Sequence, residues 1–407
     1  MVAGSVATAL LIVAGGAFAA CSSDDTDPPD RSGSADWREP VGERVDLSAP
    51  GLHDLPAPPL ESRSNPVRVW TGNELVVWAG TTYDGNDSAP GRLLGDGATL
   101  SLDDGRWTPM PASPFVEGLY QPLGAWDGSE VVIIGTECEG EVPAPTDGNP
   151  PSCPKGPAAA AWNPETGVWR RLDAPPIPVD EYSGERVLNG GTSSVGGPGS
   201  AVFTFGWEAS TITWDRPSET WATVAPDWGG DASLAVCADP MAEQMVVVSV
   251  QDFNLPPKPG KVWVLQAGGQ RWSKPLTVET SFPDAITCGD GSVVAGDYDG
   301  NRADLVDTAS GAVTPVVPST PAQQIEYVSA FGPWLFNETM GGLQDRERTV
   351  EVRLAAGGAW EAVGILDDED PVPGGWSSDY VGSGAINGRI GEDDPLLYWR
   401  APPSLTP

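Results

Sequence analysis

The chain has almost no histidine, few basic side chains and few cysteines, and each scarcity removes a class of function. Its 407 residues hold a single His, His53. Histidine-cluster metal sites and two-histidine catalytic schemes are therefore excluded. Lys and Arg number 22 against 57 Asp and Glu, a formal net charge of −35. A field of that sign repels phosphate backbones and disfavours nucleic acid, whereas it favours cationic partners, metal ions or a solvated extracellular setting. The same acids also serve to keep a Trp-rich surface in solution. What is abundant is Gly (50), Pro (42) and Trp (17). The Gly and Pro are spread along the chain, which reads as a turn-dense β protein rather than a disordered one. The length suits two or three average domains, or one large all-β domain.

Residues 1–20 carry no charged side chain, and the stretch from Val6 to Ala20 is nearly all small or apolar. Such a run is short for a membrane-spanning helix and suits the core of a signal peptide. It ends "AFAAC", and Cys21 is followed by "SSDDTDPPDRSGSAD". This resembles the lipobox of bacterial lipoproteins, in which the Cys is diacylated and becomes the new N-terminus. The resemblance implies a signal peptide over 1–20, an acidic disordered tether over 21–35 and a folded body over 36–403. A plain secretory signal, with Cys21 an incidental thiol, is the alternative. Of five Cys, four remain once Cys21 is set aside. Cys138 and Cys153 share one Pro/Gly-rich loop, and Cys237 and Cys288 fall at matching places in successive repeats. The expected disulfides are therefore 138–153 and 237–288, with an oxidising compartment as their consequence. Free buried thiols are the alternative.

The repeats themselves are plain. "VWTGNELVVWAG" from Val69 returns as "AWDGSEVVIIGT" from Ala125, with weaker copies further on. Two Val/Ile/Trp-rich runs around a polar turn predict a β-hairpin. A second hairpin follows each, in "LSLDDGRW", "WNPETGVW", "WDRPSETW" and "VDTASGAV". Its marks are the pairs Leu100/Trp107, Trp162/Trp169, Trp214/Trp221 and Val306/Val313; Trp263/Trp272 and Leu354/Trp360 are looser versions. Three of the four motifs place Gly where a turn needs positive φ. Four strands per unit and seven starts predict an all-β, seven-bladed propeller of antiparallel blades. The last unit stops one strand short after Trp399, so an N-terminal strand around Trp37 is expected to complete it and close the ring.

These hairpin pairs look like kelch-type repeats, especially those of secreted actinobacterial proteins. The resemblance spans roughly Trp37 to Trp399 and is strongest over 66–225. It implies a propeller and little about chemistry, because the double Gly usual after the second kelch strand is missing. The radical-copper oxidases built on kelch propellers need several His, which this chain lacks.

In a propeller the long connections, here 81–97, 136–157, 173–191, 251–260 and 365–378, share one face, the usual place for binding. They predict a ligand face carrying Tyr83, Asp84, Tyr120, Tyr182, Trp228, Tyr298 and Trp376. Aromatic rings among carboxylates suit a carbohydrate or a cationic ligand. "GDYDGNRADL" places Asp297, Asp299, Asn301 and Asp304 as oxygen donors for a weak calcium site; turn chemistry explains the same residues. No catalytic residue and no cofactor can be nominated. The sequence thus points to an extracytoplasmic, lipid-anchored, monomeric binding or scaffold module on the outer face of the cytoplasmic membrane, its ligand a carbohydrate or an envelope protein. A carboxylate-dependent glycosidase or lyase is one alternative, and a structural subunit of an envelope complex is another.

Overall fold

The computed structural model describes residues 38–406 except 83–91, 139–154, 178–192, 206–208, 226–227, 229–232, 251–258, 281, 283–285, 297–302, 318–326, 341–347, 367–378, 389 and 391–395. The first strand, β1 (Gly51–Asp54), stands apart from the strands that follow it in the chain. Blade 1 is β2 (Val67–Trp70), β3 (Glu74–Trp78), β4 (Gly97–Ser101) and β5 (Arg106–Pro109). Blade 2 is β6 (Tyr120–Trp126), β7 (Val131–Glu137), β8 (Gly156–Asn163) and β9 (Val168–Leu172). Blade 3 is β10 (Ser193–Gly197), β11 (Ser200–Phe205), β12 (Ser210–Asp215) and β13 (Thr220–Val224). Blade 4 is β14 (Ser233–Asp239), β15 (Gln244–Val250), β16 (Gly260–Gln266) and β17 (Leu276–Val278). Blade 5 is β18 (Thr287–Gly289), β19 (Ser292–Gly296), β20 (Ala303–Asp307) and β21 (Val313–Val316). Blade 6 is β22 (Tyr327–Phe331), β23 (Trp334–Met340), β24 (Arg348–Leu354) and β25 (Glu361–Leu366). Blade 7 takes β26 (Asp379–Tyr380), β27 (Gly384–Asn387) and β28 (Leu397–Arg400), and β1 is its fourth strand.

All seven sheets are four-stranded and antiparallel, and the chain is an all-β, seven-bladed propeller. The innermost strands β2, β6, β10, β14, β18 and β22 neighbour one another in turn, and β26 returns to β2. One apolar core fills each of the seven junctions between blades. In β7, Val131 and Ile133 face blade 1 while Val132 and Ile134 face blade 3, all fully buried. A sheet covered on both faces has no polar side, which is why runs such as "VVII" and "MVVV" are continuous rather than alternating.

The paired motif residues are direct cross-strand neighbours: Leu100 with Trp107, Trp162 with Trp169, Trp214 with Trp221 and Val306 with Val313. In three of them the turn is set by the Asp or Asn after the first member, and in the Leu100 pair Ser101 stands there. Asn163 Oδ1 accepts from the amides of Glu165 and Thr166, and Asp307 Oδ1 from that of Ser310. Such side chains mimic a backbone turn. Gly105, Gly167 and Gly311 then take φ of +65°, +71° and +74°; in the third-blade motif Glu219 occupies the same place at +51°. Trp272 and Trp360 lie outside their blades' ladders, Trp272 in the loop before β17 and Trp360 just ahead of β25.

The outer-strand Trp has a second task. Its indole N–H donates to a backbone carbonyl just past the outer strand of the preceding blade. The bonds are Trp169 to Pro111 (3.1 Å), Trp221 to Asp173 (2.9 Å), Trp360 to Val317 (2.8 Å) and Trp107 to Pro56 (2.9 Å). The last crosses from blade 7 to blade 1, so the closing junction carries the same bond as those of blades 1 and 2, 2 and 3, and 5 and 6. Trp107→Phe is expected to lower unfolding free energy by about 1 kcal/mol through the lost bond, and Trp107→Ala by about 3–5 kcal/mol. Chemical denaturation of the two variants checks this.

The closing strand is not where the sequence reading placed it. Trp37 lies outside the described residues, and the segment after it lines blade 1 instead of blade 7. Val41 N donates to Trp107 O at 2.7 Å and Val45 N to Asp104 O at 3.1 Å, both on or beside β5. Residues 51–54 pair with β28 in the register Gly51–Arg400, Leu52–Trp399, His53–Tyr398 and Asp54–Leu397. The segment 38–47 thus covers the edge of blade 1 before the chain supplies blade 7. The folded body also continues past residue 403, because Leu405 is buried and its carbonyl accepts from Trp334 Nε1.

Candidate functional site

Of the residues expected on the long-loop face, Tyr83, Asp84, Tyr182, Tyr298 and Trp376 lie outside the described residues. Tyr120 opens β6 half-buried against Leu93 and Cys138. Trp228 is half-buried too. Its ring meets Trp263 and Trp272 edge-on at 5.9 and 5.1 Å, so it fills the junction of blades 3 and 4. Asp304 is 2 % exposed and accepts from Thr280 Oγ1 at 2.9 Å; Asp297, Asp299 and Asn301 are outside the described residues. Among the described residues no group of three His, Cys, Asp or Glu is placed to hold a metal.

Beneath this face lies a residue the sequence reading passed over. The Arg63 side chain has no exposed surface, and its guanidinium pairs with Asp96 at 3.0 Å. It also donates to the carbonyls of Glu61, Ala79 and Asp96. Buried charge is tolerated only when its donors are satisfied, and here they tie the segment before blade 1 to the β3–β4 connection. A lone Arg in "LESRSNPV" carries no pattern from which this could be read. At blade 2, Glu137 pairs with Arg171 at 3.0 Å and Lys155 at 3.4 Å. Burial alone would raise the Glu137 carboxyl, but its hydrogen bond with Arg171 and the two cations hold it below the usual range.

Cys237 and Cys288 form a disulfide with Cα atoms 5.7 Å apart, joining the innermost strands of blades 4 and 5. Cys138 is also disulfide-bonded. Cys153 and Cys21 lie outside the described residues.

The opposite face carries the short turns. Asp127 and Asp239, both fully buried, accept backbone amides of their own turns, Asp127 from Ser129 and Glu130 and Asp239 from Met241 and Ala242. Burial pushes both carboxyls up, against the pull of those amides. Asp239 also accepts from Gly291 N at 2.7 Å, which joins blade 4 to blade 5. Beside this link, between blades 5 and 6, a crevice of about 290 Å³ is lined by Asp290, Ser292, Leu305, Asp307, Ala312, Thr314, Ala355 and Ala356. The hydroxyl and amide of Ser310 hold the Asp307 carboxyl below the usual range.

No family model matches the sequence, and no curated protein matches it either. Among solved structures, the chain is similar to YCF48 from Cyanidioschyzon merolae at 13 % identity and a TM-score of 0.45, over 86 % of this chain and 98 % of that one. It is similar to YCF48 bound to D1 peptide at 12 % identity and a TM-score of 0.47, over 90 % and 100 %. A chain of the mitotic checkpoint complex gives 12 % and 0.46, over 89 % and 98 %.

Proposed function

We propose that this propeller is an extracytoplasmic binding module of kelch-like type, held at the outer face of a membrane by a lipid on Cys21. The observation that carries the reading is the disulfide between Cys237 and Cys288. Structural disulfides persist in oxidising compartments and are rare in reducing ones. Cys138 is also in a disulfide, and with Cys153 as its expected partner the Cys at the end of "AFAAC" is left over for a lipid. The binding role rests on the scaffold: sealed blades and the Arg63 latch hold the long connections on a rigid base, as recognition loops require. A carbohydrate or a cationic envelope partner suits a chain of net charge −35.

Mass spectrometry of the N-terminus of the natively produced protein tests this reading. A diacylated Cys21 as first residue is expected. An intact Met1, or cleavage at another position, contradicts the anchor.

A further inference from the structure

The crevice between blades 5 and 6 lies apart from the long-loop face, and its lining has a definite chemistry. Ser292 and Asp307 are cross-strand partners of β19 and β20, so their side chains project side by side. Ser292 is 9 % exposed and lines the crevice, yet its hydroxyl has no hydrogen-bond partner among the described residues. Asp290 adds a second carboxylate, while Leu305, Ala312, Ala355 and Ala356 supply apolar wall.

Among the described residues no Lys or Arg lines the crevice, and no ion pair reaches Asp290 or Asp307. Arg353, two residues before Ala355, lies over the Trp360 ring at 4.9 Å. The acceptor at the floor, the carboxylates and the apolar wall match a charged head on an aliphatic stem.

We propose that this crevice receives a lysine or arginine side chain of a partner protein, the cationic head on Asp290 and Asp307, a head-group N–H on Ser292 Oγ, and the methylene stem along Leu305 and Ala355. The strongly acidic surface steers such a partner toward it. The site is independent of the long-loop face and of the lipid anchor.

Calorimetric titration of the full chain with the peptide acetyl-Gly-Lys-Gly-amide, and with its norleucine counterpart, tests the assignment. Saturable binding of the lysine peptide alone is expected. Asp290→Asn is expected to weaken it about tenfold, and Asn tolerates the positive φ of +47° at that position. Asp307→Asn, with its melting checked, is expected to do the same, and Asp103→Asn, an exposed acid on blade 1, to change nothing. Equal binding of the norleucine peptide overturns the proposal. So does an affinity unmoved by either crevice variant, or one weakened as much by Asp103→Asn.

Discussion

A chain shortened to begin at Ala57 is expected to unfold far more readily than one that begins at Arg38. The longer chain keeps every described contact of the N-terminal segment. The shorter one loses β1, and with it the ladder partner of β28. It also loses Leu47 and Leu55, which are 3 % and 7 % exposed in the core between blades 7 and 1. At about 1.5–3 kcal/mol for each buried leucine, these two alone are worth roughly 3–6 kcal/mol. The Trp107 indole loses its acceptor on Pro56, and Arg400 loses the Leu47 carbonyl. The sum is comparable with the whole stability of an ordinary fold, about 5–15 kcal/mol. Calorimetry should therefore show a sharp transition for the chain from Arg38 and a broad or absent one for the chain from Ala57. Matching transitions would mean that the ring does not depend on its N-terminal strand.

Replacing Cys237 and Cys288 together by Ala is the second large effect. The bond spans 51 residues of chain, and closing a loop of that length in the unfolded ensemble corresponds to about 4 kcal/mol in the chain-entropy account. Both side chains lie in the core between blades 4 and 5, so Ala keeps an apolar, smaller group there. The expected loss is about 2–4 kcal/mol in denaturant unfolding. Reductant should lower the stability of the natural chain toward that of the double variant. The variant should itself respond less, through the disulfide of Cys138 alone. If the natural chain and the double variant have the same midpoint, the bond does not staple the blades.

The repeat units were legible because their chemistry is local. The Trp and Val pairs seven residues apart oppose one another since an Asp or Asn turn and a positive-φ residue fix the register between them. Cys237 and Cys288 were legible because equal places in neighbouring repeats become neighbours in a ring. The closing strand was not. "GLHD" is four residues between Pro50 and Pro56, too short for any period, and Trp37 carried the only visible mark of an outer strand. Trp228 shows the same limit at the candidate site: a Trp in a connecting segment reads as a ligand platform, while its ring lies against Trp263 and Trp272. The crevice pairs Asp290 with Asp307 and Ala355 across two blades, and only the assembled ring brings them together.

Backbone hydrogen exchange across residues 51–54 measures ring closure directly. If β1 completes blade 7, those amides are protected to the same degree as those of β27 and β28, and all three strands lose protection together as denaturant is added. Exchange of 51–54 at the rate of an unstructured chain, beside a protected β28, would contradict closure.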